Sequence, residues 1–227
     1  EGDAIVCGNS RGELSMYRFP AASRVGAQHS QDYSAWYAQV PGLKVVTPST
    51  PRDVLGLFKS AIRDDNPVLC LFAKRLIGSS GEVPDEGEDF TLPIGRSEVR
   101  RSGSDITLVG VSTMVRAALS AADSLSEENG IEAEVIDVMS LSPLDSAAII
   151  ASVKRTGRLA IVHEAHAPCG IGAEIIARVS EQAHGALSAP PLRITPPFAP
   201  SPFAPVLEKA YLPNAARIAD EIRALLA

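Results

Sequence analysis

The sequence predicts an α/β fold, on two observations. Apolar runs of strand length alternate with amphipathic stretches of helix length along most of the chain. Helix-start and helix-stop residues punctuate those stretches at the spacing of packed strand–helix units. The 227 residues suffice for one large domain or two small ones, and 45% apolar composition supports a buried core.

The chain opens on EGDAIVCG, a strand-like run with no methionine before it. It is therefore expected to begin inside a domain, as a fragment, a processed form or a protein with an unusual start. Residues 43–48 (LKVVTP) read as a short buried strand. A helix then starts where Thr50 supplies an N-cap, Pro51 the first turn and Asp53 a carboxylate three residues on. Val54, Leu55, Leu57, Phe58, Ala61 and Ile62 are expected to form its apolar face. Residues 64–67 (DDNP) stop it, and 68–72 (VLCLF) make the next buried strand.

From 78 to 93 the text turns acidic and rich in Gly, Pro and Ser without periodicity, which reads as a linker. The expected division is a first domain over 1–80, a linker over 81–95 and a second domain over 96–227. In the second, SDITLVGVS, EAEVIDVM, RLAIVHEA and PLRITP read as strands. Helices are expected over 114–125, over 144–156 (opened by Ser142-Pro143 and closed by Gly157), after the glycine loop GIGAE, and from about Asn214 to Leu226.

Composition removes several function classes. A net charge of −6 disfavours a nucleic-acid surface, which needs clustered Lys and Arg. No stretch approaches the ~18 uninterrupted apolar residues of a membrane span, and no secretory signal core stands at the N-terminus. Cys7, Cys70 and Cys169 are few, odd in number and far apart, so reduced thiols in a cytosol-like compartment are expected.

Chemistry-bearing motifs are sparse. No GxGxxG follows a strand and no GxxxxGK[ST] occurs. CGIGAE, entering a helix, is either an anion-binding turn or a tight packing loop. VHEAHAPCG sets His163, Glu164 and His166 at a strand end, with Glu164 facing away from both histidines, so a polar rim at a domain or subunit contact outweighs a metal site. LSPLD reads as N-terminal capping of a helix. SAIRDDNP offers helix C-terminal carbonyls to a cation, or is simply a helix stop. His29 is the best single candidate for chemistry: Gly26, Ala27 and Ser30 leave room around it, and Gln28 and Gln31 are expected to hold its tautomer. Tyr33, Trp36 and Tyr37 follow, with Trp36 and Tyr37 expected to pack and position the loop. The residues alone name no reaction.

The stretch AQHSQDYSAWYAQVPGLKVVTPSTPRDVLGLFKSAIRDDNPV resembles the β subunit of the thiamine-diphosphate-dependent 2-oxoacid dehydrogenases, within the transketolase superfamily. LPIGRSEVRRSGSDITLVGVSTMVRAAL, EVIDVMSLSPLDSAAIIASVKRTGRLAIVHEA, GIGAEIIARV and PFAPVLEKAYLPN extend the resemblance from about Gly26 to the end. It implies a partial transketolase-type pyrimidine-binding domain followed by a transketolase C-terminal α/β three-layer domain. It also implies decarboxylation of a 2-oxoacid (pyruvate or branched-chain) with acyl transfer to a lipoyl group. The expected partners are an alpha subunit, a second beta subunit and the lipoyl acyltransferase core, in a cytoplasmic or mitochondrial-matrix setting. Thiamine diphosphate would be shared with the alpha subunit, whose GDG…N motif holds Mg²⁺; this sequence has no GDG.

By the same resemblance His29 matches a histidine at the mouth of the cofactor site, and Ala61, Ile62, Asp64 and Asn66 match a segment that binds K⁺ in some members. The cofactor-activating glutamate of the family lies before the matched region and has no counterpart here, so the isolated chain is expected to be inactive. Further departures are Arg24 in the shortened stretch after Arg18, Phe72 in place of a glutamate, and TPPFAPSP in place of a TG-x-D turn. Two other readings stand beside this one: a non-catalytic assembly subunit that lacks the activating glutamate, and a transketolase or deoxyxylulose-phosphate-synthase-like fragment.

Overall fold

The structure, a computed structural model, describes residues 25–227 and, before them, the strands Asp3–Gly8 (β1) and Leu14–Arg18 (β2). The expectation attached to Arg24 and the side chain of Arg18 lies outside the described residues. Two five-stranded sheets organise the chain. The first has the order β2-β1-β4-β3-β8, where β3 is Lys44–Val46, β4 is Val68–Leu71 and β8 is Ser140–Ser142. β3 and β4 are parallel, and the β1–β2 hairpin joins antiparallel to β4.

The second sheet has the order β10-β9-β6-β7-β5. Its strands are β5 (Glu98–Arg101), β6 (Ile106–Gly110), β7 (Ala133–Asp137), β9 (Leu159–Val162) and β10 (Leu192–Ile194). All pair in parallel except the edge strand β5, which runs antiparallel to β7. Buried on both faces, its inner strands read as continuous apolar runs rather than alternating ones.

Helices cover both faces of the second sheet, giving three layers. Helix α3 (Met114–Asn129) and α7 (Ala215–Leu226) pack on one face. There Ala118, Ala121 and Ala122 bring α3 close to Ile106, Leu108 and Val135. Helix α4 (Ser146–Thr156) and α5 (Ile171–Ala183) cover the other face through Ile149, Val153, Ile175 and Val179. That second core continues without a break into Val45, Leu69 and Leu71 of the first sheet, so the two sheets share apolar packing. Helix α2 (Pro51–Ile62) closes the outer face of β3 and β4 with Leu57 and Ala61. The remaining helices are short: α1 (Ser34–Ala38) and α6 (Pro205–Tyr211).

Several expectations hold in detail. Thr50 and Asp53 form a reciprocal capping box at α2, with Pro51 in its first turn. Gly157 ends α4 at φ 72°, and the side chain of Asn214 caps α7. The LSPLD capping expectation also holds, with Asp145 as the capping residue: its carboxylate accepts from Ala148 N and also from Ser97 N. The helix therefore starts at Ser146, after a cis Ser142-Pro143 bond, and not at 144.

Other expectations need correction. The buried face of α2 is Asp53, Gly56, Leu57 and Ala61, while Val54 (38% exposed) and Ile62 (51%) face outward. Asp53 turns inward because the Arg100 guanidinium stands there, 2.5 Å from its Oδ2. Ser140–Ser142 forms a strand that sequence reading missed; it pairs with β3, which precedes it by almost a hundred residues. In the stretch read as a linker, Phe90 and Leu92 pack against α2. Gly56 makes room for them, since a Cβ there would lie 2.6 Å from Leu92 Cγ. The Pro-rich connector before α7 contains α6.

Candidate active site

His29 closes a single 3-10 turn, Ala27–His29, and is exposed. The loop that carries it is anchored at both ends. At its start Gly26 is buried at φ 74°, and a Cβ there would lie 3.3 Å from the Phe203 ring, so the backbone needs glycine. Within it, the Gln31 side-chain amide closes back onto the Ala27 carbonyl. Gln31 therefore fastens the turn and does not hold the imidazole, contrary to the expectation. At its far end Asp32 makes two contacts: Oδ1 accepts from Ser34 N at 2.8 Å, starting α1, and Oδ2 lies 3.0 Å from His163 Nε2.

His163 follows β9 and is 3% exposed. Its N–H donates to the Ile194 carbonyl, continuing the pairing with β10 and fixing the backbone from which the imidazole projects. Burial alone would raise the Asp32 carboxyl. The His163 imidazole and the Ser34 N–H outweigh it and hold the group at about 2. Asp32 is thus a carboxylate at neutral pH, turned inward. The neighbouring Glu164 behaves oppositely: burial pushes its carboxyl up, with Arg75 Nη1 3.5 Å away as partial compensation.

The Asp32–His163 pair stands where the carboxyl ends of four strands meet. Thr47 follows β3, Phe72 follows β4, Val111 and Ser112 follow β6, and His163 follows β9; together they line a cavity of ≈ 20 Å³. That volume suits about one water molecule. Ser112, at φ 52°, turns the chain from β6 into α3 beside it. Crevices at the carboxyl ends of parallel strands are the usual ligand positions of α/β sheets.

His163, Glu164 and His166 go to three separate partners. His166 Nε2 lies 2.7 Å from the Tyr211 hydroxyl, which donates to the Ala199 carbonyl. Among the described residues no three His, Cys, Asp or Glu side chains gather to hold a metal. His163 faces Asp32 and Glu164 faces Arg75, both from the first half of the chain. The glycine loop likewise packs: a Cβ on Gly170 would meet the His166 carbonyl at 2.5 Å.

Tyr33 and Tyr37 pack against the shared core. Trp36 does not; it is 64% exposed and leans on the Tyr33 ring at 4.6 Å between centroids. Sequence reading also passed over Asp32. Its signal was available, as an Asp side chain accepting from the backbone N–H two residues on is a common turn. Its link to His163 was not, because the two are far apart in the chain.

At the end of α2 the structure brings Asp64 and Asn66 together. Asp64 Oδ1 accepts from the backbone N and the side-chain Nδ2 of Asn66, while Oδ2 pairs with Lys44 Nζ at 2.5 Å. The Ala61 carbonyl receives Asp64 N, and the Ile62 side chain points outward.

A charged cluster behind Ser49 joins the two sheets. Arg100 Nη2 lies 2.5 Å from Asp53 Oδ2 on α2 and 2.7 Å from Asp137 Oδ2 on β7. Ser49 Oγ reaches Asp137 at 2.6 Å, and both carboxylates are fully buried. Burial pushes Asp137 up to about 6, against the pull of Arg100 and Ser49.

The comparisons with known proteins agree with this architecture. Residues 95–218 match the transketolase C-terminal domain, and residues 13–79 match the transketolase pyrimidine-binding domain. The chain is 46% identical over 222 residues to the pyruvate dehydrogenase E1 component subunit beta of Rhizobium meliloti, covering 97% of this chain and 48% of that protein. It is 48% identical to the mitochondrial subunit beta-1 of Arabidopsis thaliana, covering 95% and 60%. It is 44% identical to the acetoin:2,6-dichlorophenolindophenol oxidoreductase subunit beta of Bacillus subtilis, covering 92% and 60%. The chain thus spans about half to three-fifths of these relatives' length. Among solved structures, a split-gene transketolase in an inactive beta4 tetramer shares the fold, with TM-score 0.70, 24% identity, and coverage of 88% of this chain and 62% of that one. The chain belongs to the transketolase family, as a pyrimidine-binding segment followed by that family's C-terminal domain.

Proposed function

We propose that this chain is a β-type subunit of a thiamine-diphosphate-dependent 2-oxoacid dehydrogenase, active only with an α-type partner. One observation carries the reading most: His29 is presented to solvent on a loop pinned at both ends, inside the segment that matches the pyrimidine-binding domain. The names of the relatives, pyruvate dehydrogenase and acetoin oxidoreductase subunits beta, give the reaction class.

In this reading the His29 loop itself does not anchor the cofactor. The one carboxylate in the stretch 25–38 is Asp32, and it is committed to His163 and Ser34. No carboxylate of this loop is left to hydrogen-bond an aminopyrimidine ring. Thiamine diphosphate and its Mg²⁺ are therefore assigned to groups beyond these residues, chiefly the α partner. The proposed part of this chain is proton handling at the His29 ring, whose two nitrogens can give and take a proton. A second β-type chain and a lipoyl acyltransferase core complete the proposed assembly, in the cytoplasm or mitochondrial matrix. Among the described residues no helix is long and apolar enough to cross a membrane. A K⁺ ion at Ala61, Ile62, Asp64 and Asn66 would compete with Lys44 for Asp64, so backbone carbonyls are the ligands that segment has to offer. The domain boundary is proposed within 81–95.

Co-expression with an α subunit, followed by 2-oxoacid-dependent reduction of an artificial acceptor, tests the reading. Activity is expected, and His29→Ala should slow acylation of a lipoyl acceptor by about 10²-fold or more, the usual contribution of a positioned acid–base group. A correctly assembled but inactive complex would favour the non-catalytic assembly subunit. Activity with sugar phosphates and none with lipoyl acceptors would favour the transketolase-like reading.

A further inference from the structure

We infer that His163 is the positioning residue for His29: its buried imidazole, paired with Asp32 between the two sheets, fixes the loop whose exposed apex His29 occupies. The inference rests on the proposed proton-handling role of His29. Asp32 lies only three residues beyond His29, so a displacement of its carboxylate moves the histidine with it. The same carboxylate starts α1 through Ser34 N, which couples the loop to the helix behind it. The opposite end of the loop, Gly26, already rests on Phe203 from the C-terminal half. Both ends of a segment from the first sheet are therefore held by the second half of the chain.

The arrangement is poorly explained as core packing. Neither Asp32 nor His163 belongs to the apolar clusters that join the sheets, which run through Val45, Leu69, Val109 and Ile161. Those contacts persist if the pair is cut. What the pair alone supplies is a close polar contact at 3.0 Å, short of hydrogen-bond geometry at His163 Nε2, in a cavity with room for about one water. Glu164, with Arg75 beyond it, is the other charged side chain facing this position. Sites that handle protons require their groups held within ~0.5 Å, which a free eight-residue loop does not provide.

The test compares His163→Ala with His163→Gln, whose side-chain amide keeps a polar group of similar reach facing Asp32. Amide hydrogen exchange of the isolated chain is read over 26–33 and over α3. His163→Ala should speed exchange over 26–33 by about tenfold or more, as expected when a buried carboxylate loses its facing partner, with α3 unchanged. His163→Gln should return the loop to within a few-fold of the parent. Unchanged exchange over 26–33 in His163→Ala, or equal acceleration across α3, would overturn the inference. In the assembled complex, His163→Ala should lower kcat for lipoyl acylation with KM for the 2-oxoacid preserved, and His163→Gln should recover it. An inactive parent complex would remove the functional reading and leave the exchange result to judge the tie by itself.

Discussion

Replacing Arg100 with leucine removes the only cation within reach of two fully buried carboxylates, among the described residues. Asp53 and Asp137 both lose a partner, at 2.5 and 2.7 Å, while Thr50 N (3.0 Å to Asp53) and Ser49 Oγ (2.6 Å to Asp137) remain. Breaking a buried pair from one side costs about 3–5 kcal/mol, because charge is left without compensation. The surviving donors set the expectation for Arg100→Leu at the lower half of that range, near pH 7.5. The pH dependence then identifies the cause. In the parent, burial holds Asp137 at about 6, above its unfolded value of 3.8. Loss of Arg100 removes a group that lowers this value, so it rises further. The folded variant then binds a proton that the unfolded chain does not, and stability increases as pH falls. The gap between variant and parent should therefore narrow by up to about 1.4 kcal/mol per pH unit as pH drops from about 7.5 towards 6. Urea denaturation followed by far-UV circular dichroism at several pH values measures both quantities. A loss below about 1 kcal/mol, or a gap that does not change with pH, would refute the reasoning. Arg63→Gln, at the exposed pair with Asp89, serves as the control that should leave the midpoint unchanged.

Two further outcomes follow from local geometry. Thr50→Ala opens the capping box of α2 and should cost about 1 kcal/mol, read as a lower thermal midpoint that Thr50→Ser restores. Gly103→Ala would place a Cβ 2.2 Å from Ala133 C and 2.3 Å from Glu134 N, backbone atoms that cannot yield, so a loss of about 1–3 kcal/mol or more is expected; a parental denaturation midpoint would contradict it.

The parts of the fold legible in the sequence are those fixed by neighbours in the chain. Thr50, Pro51 and Asp53 determine the start of α2 within four residues, and Gly157 and Asn214 mark helix ends by backbone conformation and side-chain capping. The inner strands β6, β7 and β9 announce themselves because burial on both faces leaves no polar positions to blur the run. Ser140–Ser142 was not legible. Three residues carry no periodicity, and its partner Lys44–Val46 is distant, so only the packing of one sheet against the other makes it a strand. The α2 face shows the same limit: apolar spacing suggested Val54 and Ile62, but Arg100 on β5 draws Asp53 inward and turns the helix away from them.

The site divides along the same line. The sequence by itself determined an α/β chain with two strand–helix units, and it singled out His29 among four histidines, first by its setting of small residues and then by resemblance. Tertiary structure decided what holds that histidine. Asp32 sits in the same stretch, yet nothing local says that its carboxylate turns inward, because the imidazole that attracts it stands about 130 residues later at the end of β9. Capping and periodicity act over one or two helical turns, whereas desolvation and charge pairing depend on which strand ends meet, and only the folded chain brings those of β3, β4, β6 and β9 to one place.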